Sequence, residues 1–136
     1  MSIFSDVPKI VYEGSGSRSP MSFKFYNESE LVSGKSMRDH LKFAMSYWHT
    51  LCGNGTDMFG TGTQDKTFGG SSAIDICKRK ANAAFELMDK LGINFYCFHD
   101  RDIAPEAVTL RETNAMLDEI VSLLESLSKE YGKSTS

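Results

Sequence analysis

The sequence predicts an α/β protein built on a parallel sheet. Two short apolar runs, 43–52 and 93–98, are each followed by a long amphipathic segment, 72–91 and 109–131, and glycines stand at the ends of both segments, Gly92 and Gly132. Strands that alternate with amphipathic helices form right-handed crossovers and a parallel sheet. Within 136 residues there is room for about two such units. Two units neither close a barrel nor make a wide sheet, and their strand edges stay open. The chain therefore reads as the opening part of a larger α/β fold, or as a small α/β piece that needs partners.

The elements follow in order. Residues 1–35 form an irregular arm, in which Ile10, Tyr12, Phe23, Phe25 and Tyr26 sit among Gly14, Gly16, Pro20 and several serines. Punctuation this dense predicts short extended pieces and turns. Residues 36–136 hold the strand–helix units. Ser36-Met37-Arg38-Asp39 has the form of a capping box and opens a short helix through Leu41 or Lys42. The second half of the run 43–52 is expected to be a buried strand, with a helical continuation from Ser36 as its rival. Residues 53–71 carry six glycines and form a long loop, a length usual for functional or mobile segments.

From Ser72 to Leu91, Ile74, Cys77, Ala81, Ala84, Phe85 and Met88 recur at helical spacing along one face. Residues 93–98 form the second strand, whose continuous apolar character fits cover on both faces. Thr109-Leu110-Arg111-Glu112 is a second capping box, and the helix it opens aligns Leu110, Thr113, Leu117, Ile120, Val121, Leu124 and Leu127. The polar tail 133–136 is expected to be loose.

Composition excludes several classes. Lysine plus arginine number 15 against 18 aspartates and glutamates, a net charge of −3. That balance leaves no basic footprint for a phosphate backbone, so a nucleic-acid partner is not expected. Forty per cent hydrophobic and 24% charged residues describe a folded domain. No apolar run approaches the ~20 residues of a membrane span, and residues 1–9 lack the pattern of a secretory signal. A cytoplasmic location is expected, with no membrane partner. Cys52, Cys77 and Cys97 show no paired spacing, so they are expected to be small reduced hydrophobes rather than a disulfide framework or a zinc site.

Chemistry in α/β proteins gathers just past the C-terminal ends of strands. His99-Asp100-Arg101-Asp102 directly follows the second strand. A carboxylate three residues after a histidine can turn back to the imidazole, fix its tautomer and raise its basicity, which suits a proton shuttle at a substrate hydroxyl. The alternative is a structural histidine on a solvated loop. Trp48 is either core packing or a flat wall suited to the C–H faces of a sugar. Phe59, on the glycine-rich loop, is either tucked into its own domain or inserted into a neighbour's cleft. His49 is expected in the core and His40 on the surface. No carboxylate cluster makes a complete metal site within these residues, so no metal ligand is assigned.

Three stretches together resemble one family. Tyr47-Trp48-His49-Thr50-Leu51-Cys52, Gly55-Thr56-Asp57-Met58-Phe59-Gly60 and Phe95-Tyr96-Cys97-Phe98-His99-Asp100-Arg101-Asp102-Ile103-Ala104-Pro105-Glu106 resemble the xylose isomerases of the class with a longer N-terminal arm. The resemblance runs from about Ile10 to about Gly132. It implies the N-terminal part of a (β/α)8 TIM barrel, about two βα units of eight, from a homotetrameric family. It implies aldose–ketose isomerisation of D-xylose to D-xylulose, and of D-glucose to D-fructose, by a metal-assisted hydride shift with two divalent ions (magnesium, manganese or cobalt). By motif match, His99 would assist ring opening, Asp102 would orient it, Trp48 would wall the sugar site, and Phe59 would reach into the adjacent subunit's site. The family's metal ligands and catalytic lysine come from later strands. The chain is thus expected to be an N-terminal fragment that is inactive alone, binds no metal by itself, and joins the remainder of the barrel or other copies of itself. The alternative is a non-catalytic fragment acting as a self-assembling or complementing module.

Overall fold

The structure is a computed structural model that describes residues 2–135. Its centre is a three-stranded parallel sheet of β3 (Ala44–Ser46), β4 (Phe95–Cys97) and β5 (Ser134–Thr135), in that spatial order. The register pairs Ala44 with Phe95, Met45 with Tyr96, Ser46 with Cys97, and Phe95 with Ser134. Parallel neighbours require long crossovers, here α2 (Ala73–Leu91) between β3 and β4 and α4 (Leu110–Tyr131) between β4 and β5. A separate hairpin, β1 (Leu31–Val32) with β2 (Lys35–Ser36), lies in the arm. Its two turn residues, Ser33 and Gly34, both have positive φ, as the tightest hairpin turn requires. The sheets are small and do not close into a barrel.

Both long helices begin and end as their sequences predict. Ser72 Oγ accepts the Asp75 N–H, and Thr109 and Glu112 exchange bonds in a capping box. Gly92 takes the left-handed conformation (φ 70°), and the Ile93 N–H returns to the Met88 carbonyl at 2.9 Å. The short helix α1 (Met37–His40) is capped by Ser36, and exposed His40 bonds the Val32 carbonyl at 2.9 Å.

α2 buries Cys77, Ala81, Ala83, Ala84, Phe85 and Met88, and α4 packs on it through Thr113, Ile120, Leu124 and Leu127. Leu110 and Val121, expected in that stripe, lie exposed at its margin. Phe85 stands edge-on to Tyr96, with ring centroids 5.2 Å apart, and beside Tyr131 at 6.0 Å. Gly70 admits no side chain, because a Cβ there would sit 2.6–2.8 Å from Ile76 at the head of α2.

Three local expectations are corrected. The strand occupies the first half of the run 43–52, and Trp48–Cys52 forms a π-helical turn closed by the Gly53 N–H on the Trp48 carbonyl at 3.2 Å. Buried positions run 45, 47 and then 51, so the spacing changes from two to four at Tyr47, which is itself helical. The sheet is covered on one face only. Met45 and Tyr96 are buried beneath the helices, while Ala44 and Cys97 are exposed and Ser46 and Phe95 half-buried. The tail is ordered as far as it is described: the Ser134 N–H bonds the Asn94 carbonyl at 3.0 Å, and Ser134–Thr135 extend the sheet. Ladder bonds come from the backbone, so polar side chains did not betray this strand. Ser136 lies outside the described residues.

The arm is strapped to α2 through Glu86. Its carboxylate accepts from Ser2 Oγ (2.5 Å), Ile3 N (2.6 Å) and Phe4 N (3.1 Å), with Lys90 Nζ 3.8 Å away. The Glu86 side chain is only 14% exposed. Burial pushes its pKa up, but the three hydrogen bonds and Lys90 outweigh burial, and the net shift is downward. A lowered carboxylate pKa contributes stability that is full above the ordinary glutamate value and lost as pH falls through the lowered one. The amide signals of Ile3 and Phe4 are therefore expected to move to free-chain positions in one step on acidification, with a midpoint below about 4.3. A midpoint at or above that value in an NMR titration contradicts the strap.

Candidate functional site

His99 lies two residues beyond β4 and immediately before the short helix α3 (Asp100–Ile103). That turn carries Asp102 back under the imidazole. One oxygen, Asp102 Oδ2, accepts the His99 backbone N–H at 2.7 Å and faces His99 Nδ1 at 2.9 Å, while the Asp102 N–H returns to the His99 carbonyl at 3.0 Å. The carboxylate has 7% side-chain exposure and the imidazole 82%. A half-enclosed carboxylate thus grips one ring nitrogen. With Nδ1–H donating, the neutral ring presents the Nε2 lone pair outward. This arrangement takes a proton from a hydroxyl placed at Nε2 and returns it.

The strand register brings a second residue to the same end of the sheet. Ser46 pairs with Cys97, so Trp48 and His99 each stand two residues past adjacent strand ends. Trp48 is 50% exposed and touches His49 edge-on, with centroids 4.4 Å apart. It is therefore not core packing. His49 is exposed and not in the core, because the π-helical turn replaces the strand alternation that would have directed it inward. Phe59 and Met58 are each 89% exposed. Phe59 is not tucked into its own domain. It sits on a formed turn whose Asp57 Oδ1 accepts the N–H groups of Phe59 (2.8 Å) and Gly60 (3.1 Å).

The clearest hollow, of about 610 Å³, lies between Tyr96, Phe98, Val121, Leu124 and the β5 residues, and His99 does not line it. His99 faces the open end of the sheet. Among the described residues no three of His, Cys, Asp and Glu converge as a metal site. Cys97 is exposed, against the expectation of three buried thiols, while Cys77 is buried and Cys52 half-buried. Burial raises the Cys52 thiol pKa, and Cys52 Sγ donates to the Asp102 carbonyl at 3.4 Å.

Sequence reasoning missed Tyr47. It is fully buried, and its hydroxyl has no hydrogen-bond partner among the described residues. Burial and then the nearby Cys52, Cys77 and Asp102 raise its pKa strongly. The signal was present in the sequence, since Tyr carries a polar tip into any apolar run.

No family model matches the chain. Similar proteins are nonetheless found along almost all of it. The chain is 49% identical over 136 residues to a protein named xylose isomerase from Thermoanaerobacter sp. (strain X514), 50% identical over 129 residues to one from Geobacillus thermodenitrificans, and 46% identical over 135 residues to one from Bacillus cereus. These alignments cover 95–99% of this chain and 29–30% of the relatives, so the chain spans about 30% of the length of the curated proteins it matches.

Proposed function

We propose, from the premise that this chain matches the N-terminal portion of the xylose isomerases, that it supplies the ring-opening side of an active site that interconverts D-xylose and D-xylulose. The observation that carries this reading is the His99–Asp102 pair, in which a buried carboxylate holds an exposed imidazole at 2.9 Å. His99 Nε2 takes the proton of the sugar's anomeric hydroxyl. The carbonyl forms as the bond from the anomeric carbon to the ring oxygen breaks, and the proton returns to that ring oxygen. Asp102 holds the tautomer that leaves Nε2 free to accept. The half-exposed indole of Trp48 gives the apolar face of the sugar a flat wall. Phe59, projecting from its turn, closes the site of an adjacent copy in a homo-oligomer, within a barrel of which these strands are the first.

The family's divalent ions do not fit the residues described here, which offer no converging donor set. No step of this reading passes through them.

The test is a chimera in which these 136 residues replace the matching segment of the Thermoanaerobacterium saccharolyticum relative, which is 50% identical over 133 residues. The chimera is expected to convert D-xylose to D-xylulose, and His99→Gln in it to lower kcat by about 10²-fold or more. Full activity in the His99→Gln chimera overturns the role of the pair. A folded but inactive chimera overturns the reading as a whole.

A further inference from the structure

Tyr47 is the one described residue that buries a side-chain polar atom with no partner. A buried hydroxyl left unsatisfied costs about 1–3 kcal/mol, and native structures avoid this by pairing or by an enclosed water. The surroundings name the acceptor. Tyr47 opens the π-helical turn that ends at Cys52, and the i→i+5 bonding of that turn keeps the two residues near one side of it. Cys52 Sγ in turn contacts the Asp102 carbonyl at 3.4 Å. Tyr47 and Asp102 therefore approach the same thiol from opposite elements, and both are buried.

The titratable groups facing the hydroxyl are Cys52 on the turn, Cys77 on α2, Tyr96 on β4 and Asp102 on α3. Lys80 and Lys66 act on Cys52 from α2 and from the loop. Of these, Asp102 is the strongest acceptor. Its Oδ2 already serves His99 twice. A single water needs two to four polar partners, and Tyr47 Oη, the Asp102 carboxylate and the Cys52 thiol supply that number.

We propose that Tyr47 is a positioning residue for the His99–Asp102 pair, its buried hydroxyl bonded to the Asp102 carboxylate through one enclosed water. The catalytic meaning of this linkage rests on the proposed ring-opening role, but the linkage itself does not. Tyr47 holds the carboxylate from behind, so that the oxygen facing His99 keeps its angle to Nδ1.

Tyr47→Phe tests this in the 136-residue chain without substrate. Phenylalanine fills the same space, so the fold is retained. If the hydroxyl is linked as proposed, its loss raises the unfolding equilibrium constant about fivefold in urea, the equivalent of one ordinary hydrogen bond. The ¹⁵N shifts of the neutral His99 ring are expected to show a smaller share of the Nδ1–H tautomer. Both effects are expected to vanish when Tyr47→Phe is made in an Asp102→Asn background. Unchanged or increased stability of Tyr47→Phe overturns the proposal. So does lost stability with an unaltered tautomer, which is what a merely structural hydroxyl would give. An inactive chimera together with a shifted tautomer leaves the linkage standing and removes only the sugar-handling reading.

Discussion

Phe85→Ala is expected to cost about 3–5 kcal/mol, a large share of the ~5–15 kcal/mol that holds a typical domain together. Phe85 is fully buried on α2 at the point where the sheet and α4 meet. Its ring touches Tyr96 of β4 edge-on and Tyr131 of α4 at a tilt. Truncation removes the transfer energy of the ring and opens a cavity among three elements. Those elements cannot collapse together, because Tyr96 is also tied to Ser128 at 3.0 Å. Urea unfolding followed by circular dichroism measures the loss. Phe85→Leu, which keeps most of the volume, is expected to cost markedly less. A Phe85→Ala midpoint close to that of the parent chain would show that these elements do not share a core.

The second large effect falls on the site. Asp102→Ala removes the acceptor of both the His99 N–H and the ring N–H. In the isolated chain the unpaired groups are expected to cost about 1–3 kcal/mol. In the chimera, kcat is expected to fall by about 10²-fold or more, since a ring free to rotate no longer presents Nε2. KM is expected to change little, because the reading places Asp102 behind the imidazole and away from the sugar. Steady-state kinetics with D-xylose separates the two quantities. A drop confined to KM would make Asp102 a binding residue and refute its orienting role.

The pair itself was visible in the residues. Strand, histidine and a carboxylate three positions on require only that a helical turn begin at His99, and the Asp102 N–H bond to the His99 carbonyl is that turn. Trp48 and Phe59 were visible as residues but ambiguous in role. Packing or projection of an aromatic depends on what lies opposite it, and that is a property of distant segments. His49 shows how one local misassignment spreads: a strand would have turned it inward, whereas the π-helical turn leaves it exposed. Tyr47 went unread because its chemistry lies in the absence of a partner, and absence has no sequence pattern.

Helix boundaries were legible because their causes are local. Ser72, Thr109, Gly92 and Gly132 cap by bonds within a few residues of themselves or by a positive φ that glycine adopts freely. The alternation of strands and helices, and hence a parallel sheet, follows from hydrophobic periodicity along the chain. The third strand, the single covered face of the sheet and the docking of the arm on Glu86 needed contacts between residues far apart. Ser134 pairs with Phe95, and Ser2 meets Glu86. Backbone ladders and desolvated carboxylates are specified by the geometry of the whole, to which no short run of side chains bears witness.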